Sequence, residues 1–129
     1  MEIPLRAALL AWLRADPALA PKLNIVTEEA PVRAHPPWLN IAASASSDWS
    51  AKDRIGREVR IALELHCRGD DPATAADLVR AIEARIASLP RAQAGFALVT
   101  AQFLRARAEQ RANNTRAVLL EYRFRVLAD

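Results

Sequence analysis

The stretch "REVRIALELHC", Arg57 to Cys67, constrains the fold more than any other part of the chain. Val59, Ile61, Leu63, Leu65 and Cys67 fall on one side of an extended backbone, and Arg60, Ala62, Glu64 and His66 on the other. Such alternation specifies a strand buried on one face only, the habit of antiparallel sheets. A second run of the same kind, Thr115 to Leu127, sends Val118, Leu120, Tyr122, Phe124 and Val126 inward and Leu119, Glu121, Arg123 and Arg125 outward.

The apolar face of such a sheet needs a cover, and two amphipathic helices are available. Between Ile3 and Ala15, Leu5, Leu9, Trp12 and Leu13 recur at spacings of three and four, and Asp16-Pro17 ends the pattern. The second helix opens on Asp71 as N-cap, with Pro72 at its first position and Asp77 near its positive end. Leu78, Ile82, Ile86 and Leu89 make its stripe, and Pro90 stops it.

Between the first helix and the long strand, "LNIVTEEAP" and "WLNIAAS" read as short or edge strands, because the prolines in and between them bar a ladder interior. In the latter, Leu39, Ile41 and Ala43 are expected to share a face. Gln93 to Arg107 reads as a strand joined to the last one by the polar hairpin loop "AEQRANNT". The three glycines, Gly56, Gly69 and Gly95, mark element boundaries. The expected fold is one α+β domain over residues 1–129: a mostly antiparallel sheet of four to five strands with two helices packed on one face.

Little in the chain points to catalysis or a cofactor. Three isolated glycines cannot build a phosphate-cradling loop, and His35 and His66 lie too far apart in sequence to suggest a shared metal. Cys67 continues the inward phase of its strand as a small buried hydrophobe, and His66 points the other way, so strand phase separates the two groups an active site would need together. The adjacent Glu28 and Glu29 read as surface residues. A lone cysteine suits a reducing, cytoplasmic setting, and no signal peptide or membrane-spanning run is apparent. The formal charge of +3 comes almost wholly from arginine, Lys22 and Lys52 being the only lysines. Arginines interspersed with carboxylates read as an ion-paired surface before they read as a nucleic-acid face.

One loop stands apart. Trp12 and Trp38 read as core or core-edge residues, whereas Trp49 sits in "SDWSAKDRIG", a polar segment with no apolar periodicity to bury it. Exposed tryptophan favours interfaces, with local packing as the alternative. The mixed signs of Lys52, Asp53, Arg54 and Arg57 suit protein contact better than phosphate tracking.

Several stretches, taken in order, resemble the tail terminator (tail completion) proteins of long-tailed phages, prophages and gene transfer agents. "LRAALLAWLRADPALA" looks like that family's first helix, and "SDWSAKDRIGREVRIALELHCRG" like its loop and strand before the second helix. "ADLVRAIEARI" and "RAVLLEYRFRVL" also match in position and character. "LNIVTEEAPVRAHPPWLN" is less regular than the family's short strand pair, and "AEQRANNT" lacks its usual Asp-Gly type turn.

The resemblance implies a non-enzymatic homo-oligomeric ring of six subunits, without cofactor or metal, capping the head-proximal end of a tail tube. Its partners would be the major tail tube protein and a head-completion or connector protein, with DNA passing through as cargo and no membrane involved. It would belong to the tail of a virion or phage-like particle and be made in the bacterial cytoplasm. A ring of heterologous contacts needs two different patches per subunit. The candidates are the Ser47–Arg57 loop, with Trp49, Lys52, Arg54 and Arg57, and the hairpin tip, with Glu109, Arg111, Asn113 and Asn114. The outward Arg123 and Arg125 are further candidates for subunit contact. The competing readings are another neck or head–tail connector protein, a small arginine-using nucleic-acid-binding module and, last, an unrecognised enzyme.

Overall fold

The structure is a computed structural model that describes residues 1–69 and 72–129. The proposed N-cap, Asp71, lies outside the described residues. In chain order the elements are α1 (Glu2–Arg14), β1 (Ile25–Thr27), β2 (Trp38–Asp48), β3 (Gly56–Arg68), α2 (Pro72–Ala87), β4 (Ala92–Gln93), β5 (Phe96–Arg111) and β6 (Thr115–Ala128). The strands form one sheet in the order β1-β2-β3-β6-β5-β4. β1 runs parallel to β2, and every other pairing is antiparallel.

The α+β class and the helix-covered sheet are as expected, but the described residues form six strands rather than four or five. The added count comes from two short edge pieces. β1 is three residues long. At the other edge Gly95, at φ +86°, turns the chain so that what read as one strand from Gln93 becomes β4 and β5. Positive φ is where glycine, lacking a Cβ, avoids the clash that most side chains meet.

β3 and β6 pair without interruption from Gly56↔Leu127 to Arg68↔Thr115, and their inward residues meet across the ladder: Val59↔Phe124, Ile61↔Tyr122, Leu63↔Leu120 and Leu65↔Val118. On that face lie Leu5, Leu9 and Leu13 of α1 and Leu78, Ile82 and Ile86 of α2, all in one buried cluster. Phe124 is fully buried, a burial that stabilises by about 3 kcal/mol. In α1 the buried stripe takes in Leu10 and leaves Trp12 at its margin, only partly buried. The Trp12 indole N–H donates to the Arg85 carbonyl at 2.8 Å, and the Arg85 guanidinium lies 3.4 Å from the ring centroid, so this residue joins the two helices.

β2 is longer than its prolines suggested, because they all precede Trp38. Between Ile41 and Ala43 the register with β3 shifts by a bulge at Ala42. Ala43 therefore pairs with Ala62 on the bare face instead of sharing the helix face with Leu39 and Ile41. Ser44 and Ser46 take the helix side, where Arg6 reaches Ser44 and Ser46 donates to Glu2. That bond, with backbone and N-terminal contacts, holds the Glu2 carboxyl down at about 2.

Candidate assembly interface

The loop singled out in the sequence is shorter than it read and more tightly held. Ser47 and Asp48 belong to β2 and Arg57 to β3, which leaves Trp49–Ile55 as the connection. Trp49 N–H donates to Gly56 O at 3.0 Å, Ala51 N–H to Arg54 O at 2.9 Å, and Ala128 N–H to Ile55 O at 2.8 Å. The Ser50 hydroxyl receives the Gly56 N–H at 3.0 Å and donates to Asp48 at 2.6 Å. A fork from Arg54 Nε and Nη2 closes on the Ala128 carbonyl at 3.0 and 2.9 Å. Arg54 is therefore first a clamp between the loop and the end of β6, while Lys52 is exposed without such a contact.

Trp49 is partly buried rather than fully exposed. The Arg125 guanidinium lies 5.4 Å from its ring centroid, and the indole borders a hollow shared with Leu127. Of the two readings of this residue, local packing accounts for its partial burial. Arg57 has its side chain on the helix side, 3.8 Å from Glu2.

On the bare face, Glu58 gathers the outward arginines. Arg125 Nε donates to its carboxylate at 3.0 Å, Arg123 Nε stands 3.7 Å away, and Arg123 also bonds Gln102. Farther along, Arg105 donates to Glu121 at 2.7 and 3.1 Å, which holds the Glu121 carboxyl below the usual range. These are cross-strand pairs on a partly hydrated surface, so they position side chains more than they stabilise the fold. The reading of an ion-paired arginine surface holds for these residues.

The hairpin tip differs from expectation in extent. β5 continues to Arg111, so Glu109 and Arg111 are strand residues, and the turn is Ala112–Asn114. Asn113 and Asn114 have φ of 61° and 55°, the left-handed values a tight hairpin turn requires, which asparagine tolerates best after glycine. The Asn-Asn pair thus performs the role of the missing Asp-Gly turn. Arg111 donates to Glu109 at 2.9 Å and reaches Glu64 at 3.4 Å, and Gly69 N–H donates to Asn114 O at 2.8 Å.

The structure brings together Trp49, Arg54, Arg123 and Arg125 at one end of the sheet, and Glu109, Arg111, Asn113 and Asn114 at the other. Glu109 stands opposite Ala117 of β6, eight residues from Arg125 and six from Arg123, so roughly 20–26 Å of strand separates these members of the two groups. His66 lies on the bare face, stacked on Trp38 with centroids 4.5 Å apart and against Glu64, while Cys67 is buried on the helix face. Sequence reasoning passed over this Trp38–His66 stack, which cross-strand pairing alone creates. Among the described residues no helix is long and apolar enough to cross a membrane.

Residues 7–127 match the family described as tail completion protein gp17. The chain belongs to that family. It is a structural protein of phage-type tails, as the resemblance implied. A chain in the solved structure of the virion of a native gene transfer agent (GTA) particle shares the fold, with a TM-score of 0.80 and 24% identity over 97% of this chain and 96% of that one. No curated protein matches the sequence.

Proposed function

We propose that this tail completion family member forms a ring of six subunits that caps the head-proximal end of a tail tube, ends tube polymerisation and joins tail to head, without catalysing a reaction. The match to the tail completion family over residues 7–127 carries this reading. The two side-chain groups at opposite ends of the strands support it. If the strands run along the ring axis, the Trp49 loop faces one neighbour in the tail stack and the Asn113–Asn114 tip the other. The partners are then the major tail tube protein at one end and a head-completion or connector protein at the other, with DNA passing through the hole.

The Trp49 loop suits docking because its backbone bonds and the Arg54 clamp fix its shape before a partner arrives, which lowers the ordering cost of binding. Its test is solution mass by light scattering, alone and with tail tube protein. A species of six times the 14.2 kDa chain that binds tube ends is expected. A chain that stays monomeric at high concentration and ignores tail tube protein overturns the reading. Tight DNA binding that falls steeply with salt would instead favour a nucleic-acid module.

A further inference from the structure

We propose that neighbouring copies in the ring join through the sheet itself: the free edge of β2 over Ala43–Asp48 of one copy pairs antiparallel with the free edge of β5 over Thr100–Phe103 of the next. The inference rests on the ring reading above and names the surface that closes the ring.

The sheet ends in two edges that are only partly covered. β1 pairs with β2 at Trp38–Asn40 alone, and β4 with β5 at Phe96 and Ala97 alone. Beyond those residues, no strand among the described residues pairs with the outer side of β2 or β5. The ladders show that the two uncovered stretches lie at the same height in the sheet. Ser46 pairs with Val59, Val59 with Phe124, and Phe124 with Ala101; Ser44 leads in the same way through Ile61 and Tyr122 to Phe103. The covering pieces sit at opposite ends, β1 below this level and β4 above it, so neither blocks an edge-to-edge approach.

Strand direction fits the same arrangement. β2, β3, β6 and β5 alternate strictly. A rotated copy placed beside β5 presents its β2 in the opposite direction to β5, so the alternation continues across the boundary with the same face outward. This contact is heterologous and propagates around an axis, whereas β2–β2 or β5–β5 pairing would stop at a dimer.

Sequence along the two edges is consistent with pairing. Soluble proteins guard exposed edges with lysine, proline, bulges or inward charges. Ala43–Asp48 reads ASASSD and Thr100–Phe103 reads TAQF, with no proline and no basic residue. The bulges, at Ala42, Val99 and Leu104, flank these stretches and do not interrupt them. Where β5 passes that level, its bare-face side chains become Arg105 and Arg107.

Each edge also carries an exposed apolar residue on the helix side. Phe103, 42% exposed, shares that side with its ladder partner Tyr122. Ile3, 70% exposed, lies about three helical turns from Arg14, which donates to the Val26 carbonyl of β1 and so marks the flank of α1 nearest that edge. In a continued sheet Ile3 of one copy and Phe103 of the next fall on the same side.

Hydrogen exchange on the unaltered chain, compared between dilute monomer and ring, is the first test. Alternate amides within Ala43–Asp48 and Thr100–Phe103 should slow at least about tenfold in the ring; unchanged rates in both stretches overturn the inference. Ser44→Pro and Ala45→Pro, made singly, provide the second. One of these N–H groups points to β3 and the other to the free edge, so one variant loses stability and the other keeps the wild-type Tm but stays monomeric. Phe103→Asp should likewise fold normally and fail to assemble. Normal rings from all folded variants overturn the edge contact and leave the ring reading intact. Failure of the wild-type chain to assemble, alone or with tail tube protein, overturns both.

Discussion

Replacing Gly56 with alanine should destabilise the domain by about 3 kcal/mol, because the space a Cβ would need is already occupied by backbone. A Cβ at this position would stand 2.4 Å from the Trp49 carbonyl oxygen, 2.7 Å from Leu127 Cδ2 and 3.0 Å from the Trp49 carbonyl carbon. The Leu127 side chain can rotate away. The carbonyl cannot do so freely, since Trp49 N–H is bonded to Gly56 O, Gly56 N–H to Ser50, and Arg54 ties the loop to Ala128. Overpacking costs about 1–3 kcal/mol, and a loop that shifts to relieve it gives up one or two hydrogen bonds of about 1 kcal/mol each. Urea unfolding followed by circular dichroism should show a lower midpoint at unchanged m, and thermal unfolding a Tm lower by roughly 10 °C. Gly95→Ala is the comparison. No atom lies within 4 Å of a Cβ there, so its φ of +86° alone should cost about 1 kcal/mol. A Gly56→Ala protein within about 0.5 kcal/mol of wild type, or one less affected than Gly95→Ala, would refute the reasoning.

Other consequences can be measured on single residues. Trp12→Phe keeps the ring but loses the N–H bond to Arg85 O and weakens the guanidinium stack, so stability should fall by about 1–2 kcal/mol by urea titration; no change would mean the helix–helix contact rests on the leucines alone. Tyr122, the chain's one tyrosine, has its phenol pushed up from 10 to about 12 by burial, with Glu83 adding to the effect. Since the folded value is the higher one, its contribution to stability is complete below pH 10 and is lost as pH rises from there through 12. Absorbance at 295 nm should show ionisation near pH 12 in the folded protein, and a midpoint at 10 would contradict the burial. The Cys67 thiol is likewise pushed up by burial, so a thiol reagent should label it only in denaturant; rapid labelling under native conditions would place it at the surface.

Much of the candidate interface was legible in part only. The loop drew notice because Trp49 has no apolar rhythm around it, yet nothing local announces that Arg54 closes on the Ala128 carbonyl or that Arg125 comes to lie near the indole. Those contacts join residues more than seventy positions apart and exist only because β3 and β6 pair in one register. The hairpin tip was visible as a polar stretch, but its length was misjudged. Glu109 to Arg111 read as loop residues because charged side chains on an uncovered strand carry no alternation of burial to mark them.

Local periodicity by itself determined the helix-facing sides of β3 and β6, the main stripes of both helices and the α+β class. Those features follow from repeats of two and of three to four residues, which chain geometry converts directly into faces. Tertiary structure alone decided the strand order, the bulges at Ala42, Val99 and Leu104, and which edges stay open. A bulge is a mismatch between two strands, and an edge is the absence of a neighbour, so neither is a property of any one stretch of sequence. Ala43 shows the difference in a single residue: its spacing from Leu39 and Ile41 placed it in the core, and one unpaired residue beside it turned it to the open face.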